Sequence, residues 1–182
     1  MDILENELED IIYQMFQDKS HLLSEIQCSS GKVLRQVNLK GYGRMDLVNI
    51  SHSCSIGNGN KKIRYWNIDV IELKRGKISF TELGQLCRYM KGVRRYIKSL
   101  EVSDKNHFIV NGILIGKGIE TNGDFVYLLD YMEDINCYTV SLDYKTGLSF
   151  NSCKDQYYSA NEDFGDIHWE YYRDILIEVY NK

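Results

Sequence analysis

From Ile3 to Phe16 the apolar positions are 4, 8, 11, 12, 15 and 16, the spacing of one helical face. Glu5, Glu7, Glu9 and Asp10 sit where the positive end of a helix dipole favours acids, so the pattern predicts a first helix. After Ser29-Ser30-Gly31 the period changes to two. Val33 to Leu39 and, past the Gly41-Tyr42-Gly43 turn, Arg44 to Ser51 read as strands. Cys54 to Lys62, centred on Gly57-Asn58-Gly59-Asn60, is a turn signal, and Ile63 to Leu73 reads as a third strand. Ser79-Phe80-Thr81-Glu82 has the form of a capping box. Apolar residues at 83, 86, 87, 90, 93, 97 and 100 then carry helical spacing to about Leu100. Phe108 to Ile119, Phe125 to Tyr131 and Cys137 to Tyr144 read as further strands, and Asp166 to Tyr180 as a terminal helix.

With no repeat or linker in its 182 residues, the chain reads as a single α/β domain, with a core over about 3–119 and a C-terminal elaboration over about 120–182. Hydrophobic residues at 43% are enough for an ordinary core, which excludes wholesale disorder. Five cysteines at 28, 54, 87, 137 and 153 never form a C-x-x-C pair, which argues against a zinc site or a disulfide framework and fits a reducing, cytoplasmic setting. No apolar run is long enough to span a bilayer, so no membrane partner is expected. The four histidines, at 21, 52, 107 and 168, show no ligand spacing.

The net charge of −4 conceals an asymmetry. Residues 61–98 hold eleven Lys and Arg against Asp69, Glu72 and Glu82, a balance of +8 in a chain whose remainder is −12. Such a segment is either a solvated face or a phosphate-binding surface, and nearby chemistry decides between them. In the run Ile71-Glu72-Leu73-Lys74, alternation puts Glu72 and Lys74 on one face of a strand, roughly 6.6 to 6.8 Å apart. If the second and third strands pair antiparallel, Asp46 meets Glu72. Two close carboxylates repel each other, and an oxygen-preferring cation such as Mg²⁺ or Mn²⁺ is the usual means of keeping both ionised. A neighbouring ammonium can then orient water and offset charge growing on a phosphate.

The ordered set Gly43-Arg44-Met45-Asp46-Leu47-Val48, Ile71-Glu72-Leu73-Lys74 and Gln85-Leu86-Cys87-Arg88-Tyr89 resembles the GxxDL, ExK and QxxxY motifs of RecB-like PD-(D/E)XK nucleases, and most of all the catalytic domain of NucS-type endonucleases. Glu5-Asn6-Glu7-Leu8-Glu9 is similar to the start of those domains, and Val110 to Ile115 to their next core strand. NucS-type enzymes also carry a separate N-terminal DNA-binding domain, so substrate choice does not transfer. The resemblance implies an α-β-β-β-α-β core and a Mg²⁺- or Mn²⁺-dependent deoxyribonuclease using a metal-activated water. Metal ligands would be Asp46, Glu72 and the Leu73 backbone carbonyl, with Glu5 or Glu9 able to complete the shell. Lys74 would handle the water, Gln85 would position by hydrogen bonding, and Tyr89 would lie near a phosphate.

The expected partner is DNA, single- or double-stranded, and a homodimer is compatible. Nucleic-acid contacts are expected from Arg88, Lys91, Arg95 and Lys98 on one face of the second helix. Arg44, Arg75 and Lys77 beside the motifs, and Lys61 and Lys62 at the Gly/Asn turn, complete that set. The competing reading is a domain that keeps this fold and binds nucleic acid or protein without cutting.

Overall fold

The computed structural model describes residues 5–56, 62–100, 106–120, 124–143, 145 and 147–153. Helix α1 (Glu5–Gln17) is followed by one turn of 3₁₀ helix (His21–Ser24), then β1 (Lys32–Leu39), β2 (Gly43–Ile56) and β3 (Lys62–Ile78). Next come α2 (Phe80–Ser99), β4 (Asn106–Ile119), α3 (Phe125–Tyr131), β5 (Ile135–Asp143) and β6 (Gly147–Ser152). The six strands form one mixed sheet in sequence order. The pairs β1/β2, β2/β3 and β5/β6 are antiparallel, whereas β3, β4 and β5 run parallel. The α-β-β-β-α-β order matches the expected core, and the C-terminal strands extend the same sheet.

Alternation along β3 sorts its side chains between two cores. Val70 packs with Leu86, Met90 and Leu114 beneath α2, while Ile71 and Leu73 pack with Leu8, Ile12 and Ile113 beneath α1. Glu72 therefore faces α2. That helix begins where the sequence predicts: the Ser79 hydroxyl accepts from the Thr81 N–H, and Glu82 accepts from the Ser79 N–H at 2.9 Å. This reciprocal cap fixes the first turn, and hence the height of Gln85 and Tyr89 above the sheet.

A row of polar side chains crosses the other face. Buried Asp69 accepts from Asn49 Nδ2 and from Asn111 Nδ2, both at 2.9 Å, and Asn49 also donates to the Ser29 carbonyl. Because these residues stand opposite one another in the ladder, a one-residue slip of β2 or β4 would leave a buried carboxylate without its donors.

Two expectations are corrected. The second and third strands are longer than read, running through Ile56 and from Lys62 to Ile78, and the Gly/Asn stretch between them lies outside the described residues. Residues 125–131 form a helix rather than a strand. Phe125 and Leu129, one turn apart, bury together in the α2-side core while Leu128 stays partly exposed; tertiary packing of an i, i+4 pair overrides the local strand preference. Finally, the expected terminal helix over 166–180 lies outside the described residues.

Candidate active site

The β2/β3 ladder pairs Leu47 with Ile71 and Val48 with Val70. Continued by one step, it sets Asp46 against Glu72, and Asp46 Oδ2 accepts from the Leu73 N–H at 2.8 Å. Glu72 is 1% exposed. Its Oε1 accepts from Lys74 Nζ at 2.7 Å and from Gln85 Nε2 at 2.6 Å. Gln85 also donates to the Tyr89 hydroxyl at 2.7 Å, so a chain of hydrogen bonds runs from the helix to the carboxylate. Glu72 Oε2 is buried and has no hydrogen-bonding partner. A buried carboxylate oxygen left bare is costly unless it meets a cation or a donor.

The electrostatics follow from this crowding. Burial, then the charge of Asp46, push the Glu72 carboxyl up to about 7 despite the Lys74 ammonium beside it. Asp46 is also raised, by burial first, against the Leu73 N–H and Lys74, with Glu5 and Glu9 adding to the repulsion. Burial pulls Lys74 down, but its contact with Glu72 and the charges of Glu72, Glu5 and Asp46 prevail and hold it above its ordinary value. Lys74 is therefore an ammonium at neutral pH. It is a donor rather than a base.

The folded chain thus keeps a proton on Glu72 that the unfolded chain, at 4.5, has already released. Stability without divalent ions is therefore expected to fall as pH rises from about 4.5 to 7, by about 3 kcal/mol. Urea unfolding in EDTA at several pH values measures that slope. Glu72→Gln should flatten it, and saturating Mn²⁺, which favours the deprotonated acids, should reverse it. A stability that is flat across this interval in the unsubstituted chain would refute the crowding.

A divalent cation suits the donor set: two carboxylates in mutual repulsion, one with a bare buried oxygen, all hard oxygen ligands. Of the two acids expected to complete the shell, Glu9 is engaged elsewhere and Glu5 stays at the margin. Glu9 is committed to Arg35 at 2.8 Å and to Gln36 across the α1/β1 contact. Glu5 lies at the edge, 3.4 Å from the Arg75 N–H, within electrostatic reach of Asp46, Glu72 and Lys74. Among the described residues no group of three or more His, Cys, Asp or Glu is arranged to hold a metal. Tyr89 is 3% exposed, a core residue whose hydroxyl accepts from Gln85 and braces it.

Beside the site, an open groove of about 580 Å³ runs between the β1/β2 turn and α2, lined by Tyr42, Arg88, Lys91 and Arg95. Arg95 donates to the Tyr42 hydroxyl at 2.8 Å, and the Arg88 guanidinium lies over the Tyr89 ring at 5.4 Å. Two of the three cations are thereby preoriented. Lys98 is exposed near the end of α2 and does not line the groove. Arg44, Arg75 and Lys77 are exposed. Lys62 stands ten residues along β3 from Glu72, roughly 33 Å away, too far for contact with the same phosphate. Lys61 lies outside the described residues.

What the sequence reading missed is the bracing role of buried Tyr89 and the part of Tyr42 in the groove. The pattern does hold a signal for the first, since position 89 adjoins apolar Met90 and Leu86.

No family model and no curated protein matches the chain. Among solved structures it is similar to a repair endonuclease from Pyrococcus abyssi, at 22% identity over 75% of this chain and 47% of that one, with a TM-score of 0.43. It is also similar to the protein in an EndoMS–dsDNA2 complex, at 20% identity over 75% of this chain and 45% of that one, with a TM-score of 0.44. The chain spans less than half the length of either.

Proposed function

We propose that this chain is a divalent-cation-dependent nuclease that hydrolyses phosphodiester bonds in DNA. The observation that carries the reading is Glu72: a buried carboxylate with Lys74 and Gln85 on one oxygen, nothing on the other, and Asp46 opposite. Structural ion pairs do not ordinarily leave a buried carboxylate oxygen bare.

Asp46 and Glu72 would hold Mg²⁺ or Mn²⁺, with the Leu73 carbonyl as a third oxygen and Glu5 as an acid at the margin. The ion would act as a Lewis acid on the phosphate and lower the pKa of water. The chain's own groups do the rest. Gln85, steadied by Tyr89, fixes the Glu72 carboxylate. Lys74 donates a hydrogen bond to water approaching the phosphorus, and its charge offsets that building on the phosphate oxygens. As the new P–O bond forms, the bond to the sugar oxygen breaks, with no covalent enzyme intermediate.

Incubation of supercoiled plasmid, single-stranded DNA and RNA with Mg²⁺, Mn²⁺ or EDTA tests the proposal. Cutting of DNA that needs the ion is expected, whereas salt-sensitive binding with no cutting and no ion dependence would favour a non-cutting binder. The groove supplies a further prediction. If Arg88, Lys91 and Arg95 each neutralise one phosphate, each alanine variant should lower the slope of log K against log salt by about 0.9 on duplex or about 0.7 on single strands. Unchanged slopes in fluorescence anisotropy titrations would remove the groove from the binding path, and the size of any change reports which form of DNA lies there.

A further inference from the structure

Alternation places the even-numbered residues of β3 on the α2 side of the sheet. Val70 and Ile68 bury beneath the helix, and Trp66, Arg64 and Lys62 follow on the same face. Helix α2 runs back along the strand, with Leu86 and Met90 against Gly112 and Arg94 donating to the Val110 carbonyl, so its last turn comes down toward this row. Beyond the helix the strands continue uncovered. Strand β1 starts opposite Ile50 of β2 and β5 starts opposite Gly112 of β4, so β2, β3 and β4 project past both neighbours, with Arg64 and Lys62 exposed.

This projecting end is stiffened by rings. Trp66 stacks on Phe108 at 6.4 Å between centroids, lies against His52 at 5.1 Å, and donates its indole N–H to Asn106 at 3.2 Å. With a ring on either side, Trp66 has no face open to a base, so the row does not serve as a stacking platform for a single strand. What the end presents is charge. Its described residues on the α2 side include no acid, and neither Lys62 nor Arg64 makes an ion pair among the described residues. Distance then selects the partner. Arg64 and Lys62 stand eight and ten residues along β3 from Glu72, roughly 26 and 33 Å. A duplex lying on a protein offers the same side of its backbone again after one turn, about 34 Å or ten base pairs. Arg88, Lys91 and Arg95 of the groove fall within that interval on α2.

We propose that the projecting end of β2, β3 and β4 is a second contact for duplex DNA, one helical turn from the phosphate that is cut, with Arg64 and Lys62 on the backbone. The partner rests on the nuclease reading above, but the test reads binding and does not require cutting. Two thiols of the natural chain serve as reporters: Cys54, exposed and opposite Arg64 in the ladder, and Cys87 in the groove wall. The full chain in EDTA is mixed with a mixed-sequence duplex of about two turns, or with one of its strands, and alkylation of each thiol by N-ethylmaleimide is followed by mass spectrometry. With duplex at about ten times Kd, both thiols should react about tenfold more slowly, and in a stoichiometric titration one equivalent should protect both. Lys62→Ala/Arg64→Ala should return Cys54 to its free rate, leave Cys87 protected, and lower the slope of log K against log salt by about 1.8. An unchanged circular dichroism spectrum checks that this variant keeps the fold. The contact is overturned if Cys54 of the natural chain reacts at its free rate while Cys87 is protected, or needs a second equivalent of duplex. It is equally overturned if the single strand protects Cys54 as well as the duplex does, or if concentrating the chain without DNA protects it, which would give this face to a second copy. Cutting without protection of Cys54 would sink the contact and spare the nuclease; protection without cutting would do the reverse.

Discussion

Lys74→Ala is expected to lose about 10² to 10³ of kcat, the usual cost of deleting one preorganised donor that faces developing charge. Its effect on the ion should have the opposite sign. Lys74 now competes for Glu72 at 2.7 Å, so removing its charge leaves two carboxylates with a stronger demand for a cation, and Mn²⁺ should bind more tightly. Glu72→Gln should fail in both respects, losing Mn²⁺ binding and cutting together. Calorimetry with Mn²⁺ beside single-turnover cleavage separates these outcomes. If Lys74→Ala cuts at the original rate, or loses the ion as Glu72→Gln does, the lysine does not have the role proposed.

That contrast depends on a geometry the sequence largely discloses. Glu72 and Lys74 are two apart on a strand, Asp46 falls opposite through an antiparallel hairpin, and Ser79 with Glu82 announces the helix that brings Gln85. All three signals are local: strand alternation, a turn and a helix cap each act over a few residues, so they survive in one dimension. What stayed hidden depends on contacts between distant segments. Phe125 and Leu129 choose a helix because a core already formed by α2 and β4 receives them. Glu9, acidic and near the motif in space, is spent on Arg35 and Gln36 of the neighbouring strand, and no spacing rule foretells that pairing. By spacing alone a tyrosine on the helix flank suits either side, and the close approach of β2 at Gly43 puts Tyr89 in the core.

That approach has a measurable consequence at Gly43. Its φ is +111°, a conformation that side chains other than glycine's rarely adopt, and a Cβ there would stand 2.7 Å from Tyr89 Cε1 and 3.3 Å from its hydroxyl. Gly43→Ala therefore combines backbone strain with a clash against a ring held in the core, each worth about 1 to 3 kcal/mol. A loss of about 3 kcal/mol is expected, which for a chain of this size lowers Tm by roughly 6 to 12 °C. Activity should fall beyond what stability explains, since any shift of the ring releases Gln85 and with it the grip on Glu72 Oε1. Tyr89→Phe supplies the control: it keeps the ring and deletes the hydroxyl that Gln85 reaches, so it should lower kcat with a smaller cost in stability. In the double variant Gly43→Ala/Tyr89→Leu the clash is gone and the strain remains, so the two substitutions should be less than additive in urea unfolding. Strict additivity, or a Gly43→Ala variant within about 0.5 kcal/mol of the original chain, would show that strand and ring do not meet as described, and the brace on Glu72 would have to come from elsewhere.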